Sequence, residues 1–433
     1  MRSKPIRTVV ILGTLHLGFA VAISSLREIT KNIPVFLLLF GAMFAVYVVA
    51  VAVIARGGAG ERGVAGRRFV VYMVVIAAAC RLVCVAAAPA LSTDIYRYLW
   101  EGRVVAAGQN PFSLPPDAPG LEHLRDENYG GVSHKHMEAI YPPFAQAVFF
   151  AGAFLHPTLP TFKLLFVLFD LAAMGVILLM LHARGRSLAW GVVYAWSPLV
   201  ILEFSHSGHL DSVGICFLLA AIYLWEIAKK NRSVVALALS FLSKYLAVLL
   251  LPFFLFKRGE AKRILLFAAV ALLGYLPFLD AGDNLFASLR TYGARWEFNS
   301  AVFPLLRLVL GDAARVRGML LLTLAAFAFY EGRRQKDFSR FAFLVVGCSL
   351  LLTPTLYPWY LCWIVPFLCF SPTPAWIYLT GMVAASYSVW MTYPATGVWN
   401  PGAGILILEY APFYALLVFE GVRALRRRRG VRV

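Results

Sequence analysis

Thirteen apolar runs, most of them near 20 residues, set what this chain can fold into. They fall at roughly 6–26, 34–55, 68–88, 160–183, 187–204, 209–228, 233–256, 262–280, 313–331, 339–356, 358–371, 374–392 and 403–422. A helix needs about 20 apolar residues to cross a bilayer. Only 14% of the 433 residues are charged and 61% are hydrophobic, whereas a soluble domain carries about 25% charged residues. The pattern predicts an all-α polytopic membrane protein: about 12 transmembrane helices with amphipathic helices outside. One integral membrane domain covers 1–433, with no internal repeat, no separate soluble domain and no cleavable signal. The net charge of +18 reads as cytoplasmic loop charge, not as a nucleic-acid surface. Six cysteines sit in apolar runs, so neither a disulfide framework nor a cysteine metal quartet is expected.

Lys and Arg orient the spans. Basic segments lie at Arg2, Lys4 and Arg7, at Arg56, Arg62, Arg67 and Arg68, and at Arg184 and Arg186. Others are Lys229, Lys230 and Arg232, then Lys257, Arg258, Lys262 and Arg263, then Arg333, Arg334, Lys336 and Arg340, and the tail Arg426 to Arg429. Placing these inside puts both termini in the cytoplasm and the long loop 89–159 outside. One run breaks the alternation: 233–256 enters from a basic loop and leaves into another. A re-entrant helix pair turning at Ser243-Lys244-Tyr245 restores it, the rival being one long helix that breaks the rule. Irregular backbone at membrane depth needs protein or a wet cavity around it, so Lys244 is expected to face such a cavity. The stretch from Tyr141-Pro142-Pro143 to Leu155 is too short to cross and is expected at the outer interface.

The long loop opens on a helical pattern. From Asp94, positions i, i+3, i+4 and i+7 place Asp94, Arg97, Tyr98 and Glu101 on one face, with Ile95 and Leu99 on the other. Ser92 or Thr93 can cap its start, and Gly108 with Asn110-Pro111 ends it. A surface helix offering two carboxylates to water is expected. The same membrane face gathers Tyr141, the turn Glu203 to Asp211, the loop Arg290 to Asn299, and Thr353 to Tyr360. Carboxylates and histidines at span ends mark function more strongly than belt aromatics do. His206, His209 and Asp211 have metal-ligand spacing, but one short segment supplies them, so a divalent metal is not favoured. Asp170 and Lys163, on one face of one span, read equally as a functional pair or a packing pair.

These residues resemble a known family. Asp94-Ile95-Tyr96-Arg97-Tyr98-Leu99-Trp100-Glu101-Gly102-Arg103 with Gly108-Gln109-Asn110-Pro111-Phe112 is similar to the first external loop of GT-C glycosyltransferases. Ile140-Tyr141-Pro142-Pro143, Ser197-Pro198-Leu199, Gly208-His209-Leu210-Asp211, Ser243-Lys244-Tyr245, Arg295-Trp296-Glu297-Phe298-Asn299 and Pro358-Trp359-Tyr360 extend the likeness. It spans roughly 90–365 and is strongest toward glycosyltransferase family 87 and the polyprenol-phosphate-mannose-dependent mannosyltransferases. Two features depart from it. Two spans precede the one leading into the loop, and Tyr357 stands where a His is expected.

The resemblance implies a GT-C-like bundle and an inverting hexosyltransferase. A monosaccharide, mannose among the candidates, would move from a polyprenyl-phosphate donor to an external glycan or lipid acceptor. Asp94 would be the catalytic base, with Glu101 as second carboxylate. Lys244, Arg295 and Arg97 would meet the donor phosphate. Tyr98, Tyr141, His209, Asp211, Trp359 and Tyr360 would contact substrate. No cofactor is implied. The enzyme would sit in a bacterial inner membrane with its site facing out. A transporter or flippase of lipid-linked sugars is the alternative, though no pseudo-symmetric halves are visible. A glycan polymerase or ligase using external arginines is a third reading.

Overall fold

The computed structural model describes residues 4–57 and 64–428, so Arg2, Arg62 and Arg429 lie outside the described part. Every named element there is helical, joined by one isolated bridge between Phe298 and Thr355. Six helices set the first half: α1 (Lys4–Ser24), α2 (Ile33–Ala55), α3 (Val64–Val85), α4 (Asp94–Ala106), α5 (Pro143–Leu155) and α6 (Leu159–Ala183). Seven helices among the described residues are long and apolar enough to cross a membrane, or eight if one bent pair counts as a span. The protein is therefore an all-α polytopic membrane protein.

About 12 transmembrane helices are expected; the other apolar runs form shorter or broken helices, some of them interrupted at proline. Leu188–Ala195 and Pro198–His206 meet at 57° where Ser197-Pro198 breaks the run. Run 358–371 becomes two short pieces, Pro358–Trp363 and Val365–Leu368, and run 374–392 becomes three. Proline lacks the N–H that an α-helix interior uses, so each starts a new turn. Asp211–Glu226 and Phe338–Leu352 are regular but only 16 and 15 residues long.

Run 233–256 forms the expected hairpin. The helix Lys230–Ser243 stops at Lys244, whose backbone is extended, and the chain resumes as Tyr245–Leu250 and Pro252–Leu255. Lys230 Nζ lies 2.5 Å from Glu260 Oε1, tying the start of the hairpin to the residues just past its end. Trp225 packs on Phe253 and Phe254 at that same end. Lys244 at the tip reaches Asp211, at the opposite end of the helix that closes on Trp225. One straight helix does not form.

Helix α4 begins and ends where its sequence signals lie, with Asp94 N–H donating to Ser92 Oγ (3.2 Å) and Gly108 at φ 71°. Its surroundings differ from expectation. Arg97, Tyr98 and Glu101 are buried together with Ile95 and Leu99, so no carboxylate-rich face meets water. Loop 133–142 covers one side, while α5 and α6 cover the other through Phe149, Phe162 and Phe166. Gly102 permits this: a Cβ there would lie 2.4 Å from the Phe149 carbonyl oxygen. The α5 segment stays short and packs on α4, leaving Phe154 and Leu155 exposed.

Lys163 and Asp170 do not pair. Asp170 takes Arg81 Nε at 2.5 Å and the Tyr194 hydroxyl at 2.7 Å, all three side chains being fully buried. Arg81 also donates to the carbonyls of Ala77 and Ala195, whereas Lys163 Nζ donates to the Ala87 carbonyl at 2.6 Å. Removing one partner of a buried pair strands the other charge. Asp170→Ala should therefore cost about 3–5 kcal/mol in unfolding from micelles, and Lys163→Met clearly less.

Candidate active site

The first turn of α4, loop 133–142, the hairpin tip and three C-terminal segments enclose a cavity of about 680 Å³. Seven residues singled out from sequence line it: Asp94, Arg97, Tyr141, Lys244, Arg295, Trp359 and Tyr360. Four do not, namely Glu101, Tyr98, His209 and Asp211, which are buried behind the wall.

Asp94 lies at the cavity wall with its side chain 29% exposed; Glu138 and Glu297 line the same cavity, Glu138 accepting from the Ser288 hydroxyl and Glu297 paired with Arg307 and Arg317. Tyr141 OH donates to Asp94 Oδ2 at 3.4 Å, and His209 Nδ1 lies 3.8 Å from the same oxygen. Removal from water pushes the Asp94 carboxyl up to about 6, with the Lys244 charge opposing the rise and Asp211 adding to it. A carboxylate titrating near neutrality is matched to proton abstraction.

Lys244 and Asp211 form one unit. Lys244 Nζ donates to both Asp211 oxygens at 2.6 and 2.7 Å, and Trp363 Nε1 donates to Oδ1 at 2.6 Å. Asp211 therefore holds the lysine and does not itself line the cavity. The ammonium also sits 4.5 Å from the centre of the Tyr360 ring. Tyr360 OH pairs with Tyr292 OH at 2.6 Å.

Arg97 and Glu101 are occupied with structure. Arg97 Nε donates to Glu101 Oε1 at 2.6 Å, and its other nitrogens reach the carbonyls of His134 and Met137. Gln146 Nε2 donates to the second Glu101 oxygen at 2.6 Å. Glu101 is thus a buried anchor for the guanidinium that reaches loop 133–142, and it does not line the cavity. Tyr98 is a core ring, stacked on Phe149 at 4.8 Å and edge-on to Tyr141 at 5.0 Å.

Arg295 is the cation left available. It ends the helix Ala287–Arg295, is exposed, lines the cavity, and makes no ion pair or side-chain hydrogen bond among the described residues. The next residues are held by short bonds: Thr355 Oγ1 donates to the Trp296 carbonyl, and Leu356 N–H to that of Phe298.

Trp359 is not a free platform for sugar. Tyr357 stacks on it at 4.5 Å and 3°, and His209 at 3.9 Å and 18°. Two near-parallel rings that close cannot share one face, so both faces are covered. The polar side chains of the segment Glu203 to Asp211 face different neighbours. His209 turns to Asp94 and Glu203, and Asp211 turns to Lys244.

Sequence reasoning missed Tyr387, Trp390, Tyr393 and Trp399, which close the far wall. They lie in or next to an apolar run with no charged residue, and their clustering as aromatics was the one available signal. Arg81 was missed because a single arginine inside a span reads as an exception until its partner is seen.

The family model for the N-terminal domain of alpha-(1->6)-mannopyranosyltransferases matches residues 8–258. That segment carries Asp94, Tyr141, His209, Asp211 and Lys244, while Arg295, Trp359 and Tyr360 lie beyond it. No curated protein matches the chain, and no solved structure does. With more than half its length matched, the chain belongs to the alpha-(1->6)-mannopyranosyltransferase family of GT-C-type membrane enzymes.

Proposed function

We propose that the protein transfers mannose from a polyprenyl-phosphate donor to a hydroxyl of a glycan or glycolipid acceptor, with inversion, in the 680 Å³ cavity. The observation that carries this reading is that Asp94, which no Lys or Arg pairs with among the described residues, shares one cavity with Lys244 and Arg295, while the other acidic side chains on the wall are engaged, Glu297 by Arg307 and Arg317 and Glu138 by the Ser288 hydroxyl. The carboxylate takes the acceptor proton while the acceptor oxygen attacks the anomeric carbon and the sugar–phosphate bond breaks on the opposite side. Negative charge then grows on the leaving phosphate, where Arg295 and Lys244 stabilise it. Lys244 is the weaker partner, because Asp211 already neutralises it; Arg295 is free to engage.

The hairpin supports an orientation for the enzyme. Its basic ends, at Lys230 and Lys257 to Arg263, lie together, and its tip reaches the cavity. With the basic loops in the cytoplasm, the cavity opens toward the outer face of a plasma membrane. A transporter would need broken helices arranged in two related halves, and no observation favours that.

Asn has the shape of Asp but cannot accept the proton. Asp94→Asn should fold normally and lose about 10²–10⁴-fold in turnover, measured with polyprenyl-phosphate-mannose and a mannoside acceptor. An Asp94→Asn enzyme with wild-type turnover would remove Asp94 as the base.

The pH profile gives a second test. Asp94 works as the carboxylate, so kcat/KM should fall tenfold per unit as pH drops below about 6. Lys244 holds that limb down, so Lys244→Ala should move it to higher pH. Arg295→Ala should weaken donor use and leave the limb in place.

A further inference from the structure

A seam of polar groups runs inward from Asp94. His209 is fully buried, with its ring flat against Trp359. Its Nδ1 lies 3.8 Å from Asp94 Oδ2 and its Nε2 lies 3.4 Å from Glu203 Oε2. Glu203 is buried too, and its other oxygen accepts the Tyr387 hydroxyl at 2.7 Å. Among the described residues neither His209 nitrogen nor Glu203 Oε2 has a hydrogen-bond partner, and no Lys or Arg pairs with Glu203. Buried polar atoms are almost always paired, so three orphans in one line call for an account. The opposite ring orientation would turn carbon atoms toward both carboxyls.

The backbone locks this ring to the helix that carries Asp94. His209 N–H donates to the Glu203 carbonyl at 2.9 Å, and Gly208 at φ 74° makes the turn. A Cβ at Gly208 would lie 2.5 Å from Ile95 Cδ1, so the turn is pressed against the residue after Asp94.

We propose that His209 is a positioning residue, donating from Nδ1 to Asp94 and accepting at Nε2 from the protonated carboxyl of Glu203. Two hydrogen bonds then satisfy all three orphaned atoms, and Glu203 selects the Nδ1–H tautomer. Asp94 is held by one oxygen and offers the other to the acceptor hydroxyl. The 3.8 Å contact shortens when the acceptor fills the cavity, as catalytic hydrogen bonds do on substrate binding. This reading rests on Asp94 being the base.

A hydrogen bond to the carboxylate favours its charged form, so losing it moves the acid limb of kcat/KM to higher pH. The other groups acting on Asp94 stay in place: Lys244, Asp211, Tyr98 and Tyr141, with Tyr292, Tyr357 and Tyr387 across the cavity.

Two substitutions separate positioning from packing. His209→Phe keeps a ring on Trp359 but has no donor. His209→Asn loses the stack, yet its amide nitrogen takes the place of Nδ1. Positioning predicts that His209→Phe loses about tenfold or more, in kcat and not in donor KM, with its acid limb raised. It predicts that His209→Asn keeps most of the turnover and a limb near wild type. Glu203→Gln, which still presents a donor to Nε2, should also stay active. A near-wild-type His209→Phe with an unmoved limb would overturn the proposal, and so would a His209→Asn enzyme as damaged as His209→Phe. If Asp94→Asn is inactive while His209→Phe behaves as wild type, only the positioning role falls and the base assignment stands.

Discussion

The ion pair between Lys244 and Asp211 is the constraint on which the site depends. Lys244 interrupts an apolar segment with extended backbone, and its ammonium needs a partner at that depth. Asp211 supplies it from the first residue of the next-door helix, held in turn by Trp363. A charge pair inside a bundle survives only if its remaining hydrogen bonds are met. Here the indole N–H and the Tyr360 face meet them. The pair therefore joins three distant parts of the chain at one point: the Glu203 to Asp211 turn, the hairpin tip and the Pro358 to Trp363 segment. The cavity is the space left on its open side.

Charge placement then divides the labour among similar residues. Asp94 and Glu101 are both acidic and two turns apart on α4, yet only Asp94 is free. Glu101 is buried against Arg97 and Gln146 and does not line the cavity. Arg97 and Arg295 both line the cavity, but Arg97 spends its donors on Glu101 and two carbonyls, leaving Arg295 uncommitted. Burial raises the basicity of Asp94, and the nearby Lys244 opposes that rise.

Much of this was legible in the residues. The basic loops on both sides of 233–256 point to a hairpin with Lys244 at its tip over one long helix, and the chain does turn back at Lys244. Capping and stop signals gave the bounds of α4 and placed Asp94 at its first turn. Periodicity failed on which face of α4 meets water, because loop 133–142 covers the face that the pattern left exposed. No local pattern encodes a cover supplied from 40 residues away. Hydropathy also does not see where an apolar run bends, as at Ser197-Pro198, or breaks into short turns, as after Trp363 and Met382. Trp359 illustrates a further limit: its position in the cavity was readable, but the rings of Tyr357 and His209 on its two faces were not.

The central claim is that one cavity holds the donor phosphate on its cationic side and presents the anomeric carbon to Asp94. A structure of the protein with a phosphonate analogue of polyprenyl-phosphate-mannose tests it most directly. The account predicts phosphonate oxygens within hydrogen-bond reach of Arg295, near Lys244, with the mannose between them and Asp94. An analogue bound elsewhere in the molecule, or bound in the cavity with its phosphonate against Asp94, would contradict it.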